Sequence, residues 1–209
     1  MKIKFYGNEC FVISDGGFTA VTDPHKDLKV QIKANMVTVS QNDDEHNNSA
    51  AIAGEPKIFN WPGEYETGGV HIQGISSFHN TKEDKEQNEN TIFTIKLNGL
   101  HICHLGGIGT KLTSEQLENI GDVDVLFLPV AGKGTIDAKK AKEVIEQIEP
   151  RVIIPMAYCQ DDDNCGLGPL NPFLHEMSAQ SVVPLEELDV KRSELPEDTS
   201  KIIVLNKQS

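Results

Sequence analysis

Hydrophobic and polar residues alternate along the first half of the chain, as they do in strands with one buried face. Residues 2–5 alternate lysine with Ile3 and Phe5, and an apolar run follows at residues 10–13. Asp15-Gly16-Gly17 then predicts a hairpin turn into a strand over residues 18–22. Further strands are predicted over residues 36–40, 57–61, 69–75, 91–97 and 100–105. Residues 62–65 separate the strands at 57–61 and 69–75, and residues 81–90, which lack any apolar side chain, are expected to form an exposed loop.

The second half of the chain mixes helices with strongly apolar strands. Thr113 and Gln116 form a capping-box pattern that predicts a short helix to about Ile120. Residues 137–148 carry a helical apolar stripe that Pro150 terminates. Strands covered on both faces are predicted at residues 123–130 and 151–156, a helix at 172–179 and a last strand at 201–206. We therefore predict an α/β fold in which a few helices cover β-sheets, as a single domain over residues 1–209.

Charge and composition narrow the possible partners. The net charge is -13, with 19 basic residues against 32 acidic ones, which argues against binding to nucleic acid phosphates. No apolar run reaches the length of a membrane span, so membrane insertion is not expected either. The chain opens directly into a strand pattern without a signal peptide, and four cysteines without a CxxC pair suggest reduced thiols. We expect a cytoplasmic protein.

Several apolar strands run directly into polar or glycine-containing loops, namely after Ser40, Leu105, Val130 and Met156. Because functional sites gather where strand ends feed such loops, these four positions predict one rim as the candidate site. The stretch at residues 41–47 is entirely polar. Taken alone, it is either a solvated turn or part of a metal site.

The stretches KIKFYGNECFVI, VTVSQNDDEHNN, WPGEYETGGVHIQGI, NTIFTIKLNGLHICHLGGIG and IEPRVIIPMAY, in this order, resemble the metallo-β-lactamase superfamily. Within it, they resemble the branch of ascorbate phosphate lactonase and uncharacterised zinc-dependent hydrolases. The resemblance covers nearly the whole chain and implies a four-layer αββα sandwich. Where the family usually has Gly-His-Ala or Gly-His-Ser before the second strand, this chain has Gly7-Asn8-Glu9.

The resemblance also implies where zinc ligands should stand. The family motif His-x-His-x-Asp-His falls on residues 41–46, where His46 alone matches, and the third histidine of the first metal site falls on His79. A bridging aspartate and a final histidine are expected at two further positions. The lost-ligand positions are therefore Gln41, Gly107 and Ala157, and the residual candidate metal ligands are Asp43, Glu45, His46 and His79.

These replacements lead to an expectation about chemistry. A dinuclear zinc centre is not expected, and the site should hold either no metal or one divalent cation such as Zn²⁺, Mn²⁺, Mg²⁺ or Ca²⁺. Asp23 and His104 are expected near the site. Asp23 would either form a turn or support a ligand, and His104 would be a structural histidine.

Two functional hypotheses follow. The first is an inactive or strongly altered hydrolase-like protein that binds a small molecule or a protein partner. The alternative is an active hydrolase of a small ester, lactone or phosphate that uses a rearranged mononuclear site. Association into a homo-oligomer is left open.

Overall fold

The structure, a computed structural model, describes residues 1–43, 45–79, 88–160, 166–197 and 199–208. Its first sheet contains β1 (Lys2–Gly7), β2 (Cys10–Asp15), β3 (Phe18–Thr22), β4 (Met36–Thr38), β5 (Lys57–Phe59) and β12 (Leu188–Asp189). The strands lie in the order β12-β1-β2-β3-β4-β5. The hairpin between β2 and β3 pairs Asp15 with Phe18, which leaves Gly16 and Gly17 as its two-residue loop. Both glycines have positive φ, as a type I′ turn requires.

The second sheet contains β6 (Gly63–Thr67), β7 (Val70–Phe78), β8 (Glu89–Leu97), β9 (Leu100–His104), β10 (Val125–Pro129), β11 (Val152–Met156) and β13 (Lys201–Ile202). These strands lie in the order β13-β11-β10-β9-β8-β7-β6. The strands from β6 to β9 pair antiparallel, whereas β9, β10, β11 and β13 run parallel. The parallel strands therefore bring their carboxyl ends to one rim.

Among the described residues, the α-helices that complete the α/β fold are α1 (Ser114–Ile120), α2 (Ala138–Ile148) and α3 (Asn171–Glu176). The predicted capping box is present, since Thr113 and Gln116 exchange side-chain-to-backbone hydrogen bonds of 2.9 and 3.2 Å. The apolar stripe of α2 is buried, through Ala141, Val144, Ile145 and Ile148. The two sheets packed between helices form an αββα sandwich, as the resemblance implied.

Aromatic side chains fill the space between the two sheets. Phe11 on β2 and Phe127 on β10 are fully buried, and their ring centroids lie 4.2 Å apart. Phe5 extends this cluster, with its ring 4.9 Å from that of Phe11. Burying one such side chain contributes about 1.5–3 kcal/mol. This contact between facing sheets therefore fixes their relative position and, with it, the rim.

One strand was not predicted, and two expectations from the sequence are wrong. Gly63–Thr67 forms β6 against β7, where Gly74 allows close approach of the Trp61 carbonyl. Asn90, at the end of the predicted exposed loop, is instead buried in β8, and residues 81–87 of that loop lie outside the described residues. Cys159 is disulfide-bonded, against the expectation of reduced thiols, whereas Cys10 and Cys103 are free and buried. The sequence could not indicate this bond, because cysteine pairing depends on which residues the fold brings together.

Within the described part of the chain, no helix is both long and apolar enough to cross a membrane.

Phe127→Ala should lower the free energy of unfolding by about 3–5 kcal/mol, because it leaves a cavity between the sheets. Val183→Ala is the control, since Val183 is 77% exposed and its truncation should cost less than about 0.5 kcal/mol. Urea unfolding followed by circular dichroism measures both. Equal effects of the two substitutions would contradict the assigned position of Phe127.

Candidate functional site

The predicted rim is assembled by hydrogen bonds between loops that follow different strands. The carbonyl of Ser40, two residues after β4, accepts from the N–H of Thr91 on β8 at 2.9 Å. The N–H of Ala157, directly after β11, donates to the carbonyl of Asn8 between β1 and β2 at 2.7 Å. These two hydrogen bonds thus join the two sheets at the rim. The site residues predicted from the sequence lie around them.

Asp23 holds the loop that follows β4. Its Oδ1 accepts from the N–H of Ser40 at 2.6 Å and its Oδ2 from the Ser40 hydroxyl at 2.7 Å. Asp23 is buried, and its φ of 37° is one that Asp and Asn adopt more readily than other side chains. It therefore positions Ser40, and through it the start of the polar loop.

His104 and Asn90 support the loop that follows β9. Nε2 of His104 donates to the carbonyl of Glu9 at 2.9 Å, and its Nδ1 accepts from the N–H of Gly106 at 3.2 Å. Both nitrogens of a neutral imidazole are thereby satisfied, and burial lowers the pKa of His104. Asn90 donates to the Ser77 hydroxyl at 2.6 Å and to the Leu105 carbonyl at 2.9 Å.

Gln41, His79 and Gly107 form the first of two groups at the rim. Nδ1 of His79 donates to the carbonyl of Gly107 at 2.7 Å, and the Gln41 amide nitrogen lies 3.2 Å from the same Nδ1. A β-carbon at position 107 would lie 2.1 Å from Gln41 Nε2 and 2.8 Å from His79 Nδ1. The other nitrogen of His79 packs on Gly134, where an added β-carbon would be 2.6 Å away. The amide and the imidazole thus occupy the space that a side chain at position 107 would need.

Asp43, His46 and Glu9 form the second group. Nδ1 of His46 donates to Oδ1 of Asp43 at 2.6 Å, and its Nε2 lies 3.4 Å from Oε2 of Glu9. Only 3% of the Glu9 side chain is exposed, against 14% for His46 and 51% for Asp43. Oε2 of Glu9 is buried without a hydrogen-bond partner. A carboxylate in such a position costs several kcal/mol unless a positive charge lies nearby.

The electrostatics of this second group show a shortage of positive charge. Burial raises the pKa of Glu9 to about 8, although His46 opposes the shift. Burial lowers the pKa of His46, but the carboxylates of Glu9, Asp43 and Asp23 outweigh it and raise the value to about 10. Burial raises the pKa of Asp43, but the hydrogen bond and charge of His46, together with backbone hydrogen bonds from residues 45 and 46, outweigh it and leave the pKa below its ordinary range. The group therefore retains protons at neutral pH.

The four residual ligands predicted from the sequence do not share one position. Asp43 and His46 are in contact, whereas Glu45 is half-exposed and pairs with Lys26, and His79 belongs to the first group. Among the described residues, no three His, Cys, Asp or Glu side chains lie close enough together to hold a metal ion. Whether any of these four binds a metal in solution remains a prediction.

The donors at the rim do not fit a pair of zinc ions. A two-zinc centre needs a bridging position and several nitrogen or oxygen ligands around it. The Gln41 amide and the His79 ring fill the space around position 107. Nδ1 of His79 is protonated, since it donates to the Gly107 carbonyl, and therefore has no lone pair for a metal. Ala157, with a φ of 55°, presents only a methyl group.

Glu9 is the residue of the site that reasoning from the sequence missed. It was assigned to the turn between the first two strands and given no chemistry. The available signal was an acidic residue where the resembling family has alanine or serine. Asn90 was missed as well, because it ends a long polar run.

The arrangement of two mixed sheets, with their loops gathered at one rim, is that of the metallo-β-lactamase fold. A family model described as the beta-lactamase superfamily domain matches residues 2–157. A candidate zinc-dependent hydrolase of the metallo-β-lactamase superfamily from Thermotoga maritima, known from its crystal structure, is 33% identical with a TM-score of 0.82. The alignment covers 98% of this chain and 97% of that one. The chain belongs to the metallo-β-lactamase superfamily.

Curated relatives point to the same superfamily. A UPF0173 protein of Pyrococcus furiosus is 24% identical over 183 residues, which cover 76% of this chain and 83% of the relative. A UPF0173 metal-dependent hydrolase of Pyrococcus abyssi is 32% identical over 98 residues, covering 46% of this chain and 44% of the relative.

Asp23→Ala should lower the free energy of unfolding by about 2–3 kcal/mol, because the N–H of Ser40 is left buried without an acceptor. Asp23→Asn should cost less than about 1 kcal/mol, since its amide can still accept from that N–H and suits the positive φ. Urea unfolding measures both, with the exposed Asp27→Ala as control. Equal costs for Asn and Ala at position 23 would contradict this role.

Gly107→Ala should cost about 1–3 kcal/mol of stability through overpacking against the Gln41 amide. The cost should fall by at least about 0.5 kcal/mol in a Gln41→Ala background, because the closest clashing atom is gone. A double-mutant cycle measures this coupling. Exposed Gln180→Ala serves as the control partner and should combine additively with Gly107→Ala; additivity of Gln41→Ala as well would contradict the contact.

Proposed function

We propose that this chain is a member of the metallo-β-lactamase superfamily that has lost the dinuclear zinc centre and the hydrolysis that depends on it. In a two-zinc enzyme the metals lower the pKa of a shared water and polarise the scissile carbonyl or phosphoryl group. Supporting the proposal, three positions that resemble ligand positions carry Gln41, Gly107 and Ala157. The proposal therefore concerns the chemistry of the rim and leaves the fold intact.

The observation that carries this proposal is the contact of Gly107 with Gln41 and His79. An empty cleft could still admit metal, but here an amide nitrogen lies 2.1 Å from where a β-carbon of residue 107 would be. Restoring one ligand alone would consequently create a clash rather than a metal site. Return of the centre requires Gln41 and Gly107 to change together.

With zinc hydrolysis lost, we assign the protein to the class of binding modules. The rim retains its supporting hydrogen bonds through Asp23, Ser40 and Asn90, so that the loops remain in a defined arrangement. A rigid rim suits recognition of a small molecule or of a partner protein.

The test is the metal content of protein purified without chelator, measured by plasma mass spectrometry. We expect fewer than two zinc ions per chain and no zinc-dependent hydrolysis of p-nitrophenyl acetate or bis-p-nitrophenyl phosphate. Two tightly bound zinc ions, or hydrolysis that a chelator abolishes, would contradict the proposal.

A gain-of-function variant tests the same proposal from the opposite side. Restoring the family ligands together, as Gln41→His, Asp43→His, Glu45→Asp, Gly107→Asp and Ala157→His, should raise zinc affinity more than tenfold, or by about 1.4 kcal/mol. Gly107→Asp alone is the matched control and should lower the melting temperature without this gain. Unchanged zinc affinity in the fivefold variant would show that these positions do not surround the lost centre.

A further inference from the structure

Glu9 and His46 face each other in the second group at the rim. Oε2 of Glu9 is buried and has no hydrogen-bond partner, and the nearest nitrogen is Nε2 of His46 at 3.4 Å. This distance is long for a charge-assisted hydrogen bond, which is ordinarily about 2.7–2.9 Å. Two ligands about 2.1 Å from one tetrahedral zinc ion, in contrast, lie about 3.4 Å apart.

The other nitrogen of His46 is held as it is in many metal sites. Asp43 accepts from Nδ1 of His46 at 2.6 Å, which directs Nε2 toward Glu9. A carboxylate on the far nitrogen of a metal-bound histidine fixes its tautomer and orientation and makes it a stronger donor. Asp43 is thus placed to orient a ligand rather than to be one.

Charge around this pair also favours a cation. The carboxylates of Glu9, Asp43 and Asp23 all act on the single imidazole of His46. The nearby cation Lys26 is directed to Glu45 at the surface. A divalent ion between Glu9 and His46 would take the place of the protons that this group retains at neutral pH.

We infer that Glu9 and His46 form a binding site for a single divalent cation, with Asp43 orienting His46 and water completing the coordination. This site contains Glu9, which lies outside the ligand positions that the resemblance implies, and it excludes Glu45 and His79. Zn²⁺ suits the nitrogen donor and Mn²⁺ the mixed oxygen and nitrogen set. The inference rests on the proposed loss of the two-zinc centre, since only one ion is accommodated.

The experiment titrates the metal-stripped full chain with ZnCl₂ by calorimetry and with MnCl₂ by electron paramagnetic resonance, both at pH 7.5. We expect one ion per chain. Glu9→Gln, which keeps the shape of the side chain, should weaken binding more than tenfold. Glu64→Gln, an exposed change of the same kind, should leave affinity within about twofold, as should Glu45→Gln and His79→Ala.

Two further measurements keep the test decisive if Glu9→Gln folds poorly. Asp43→Asn, at a half-exposed position, should weaken binding about 10–100-fold by releasing His46. In the unaltered protein, Mn²⁺ should broaden the amide signals of residues 9 and 46 before those of residues 79 and 107.

The inference is overturned by any of three results. Absence of binding at about 1 mM metal would mean that Glu9 and His46 form an internal ion pair only. Binding that survives Glu9→Gln but is lost in His79→Ala would place the ion elsewhere. Two ions per chain would contradict the proposed function together with this inference, whereas failure to bind any ion leaves the proposed function standing.

Discussion

The close contact of Gly107 with Gln41 and His79 is the constraint on which the chemistry of the rim depends. Without a β-carbon at position 107, the Gln41 amide and the His79 ring move into the space that a bridging carboxylate would occupy. One nitrogen of His79 is then used on the Gly107 carbonyl and the other packs on Gly134. The three residues are therefore sterically coupled, because a side chain at position 107 would require Gln41 and His79 to move.

Buried hydrogen bonds support the loops around this contact. Asp23 satisfies both donors of Ser40, Asn90 links Ser77 to Leu105, and His104 joins the β1–β2 turn to the loop after β9. Each of these buried donors has an acceptor, and leaving one unpaired would cost about 1–3 kcal/mol. The network holds the loops in place through hydrogen bonds within the protein, and the fold by itself does not determine the chemistry of the rim.

Most of the fold could be predicted from the sequence, because alternation, capping and turn residues act locally. The glycine hairpin at Gly16-Gly17 and the Thr113 cap are found where these patterns predict them. Strand β6 was not predicted, because its extended conformation depends on pairing with β7 and not on a pattern in its own residues. In the site, the expectation that ligands are lost at Gln41, Gly107 and Ala157 rests on residue types and stays a prediction. The role of Glu9 could not be predicted, because it depends on His46, which is 37 positions away in the sequence and adjacent only in the fold.

The most direct test of the account is a crystal structure of the protein grown with excess zinc, with anomalous differences collected at the zinc absorption edge. No pair of anomalous peaks is expected at the rim near residues 107 and 157, and at most one peak is expected, between Glu9 and His46. Two fully occupied peaks about 3.5–4 Å apart, with Gln41 and His79 displaced from Gly107, would contradict it.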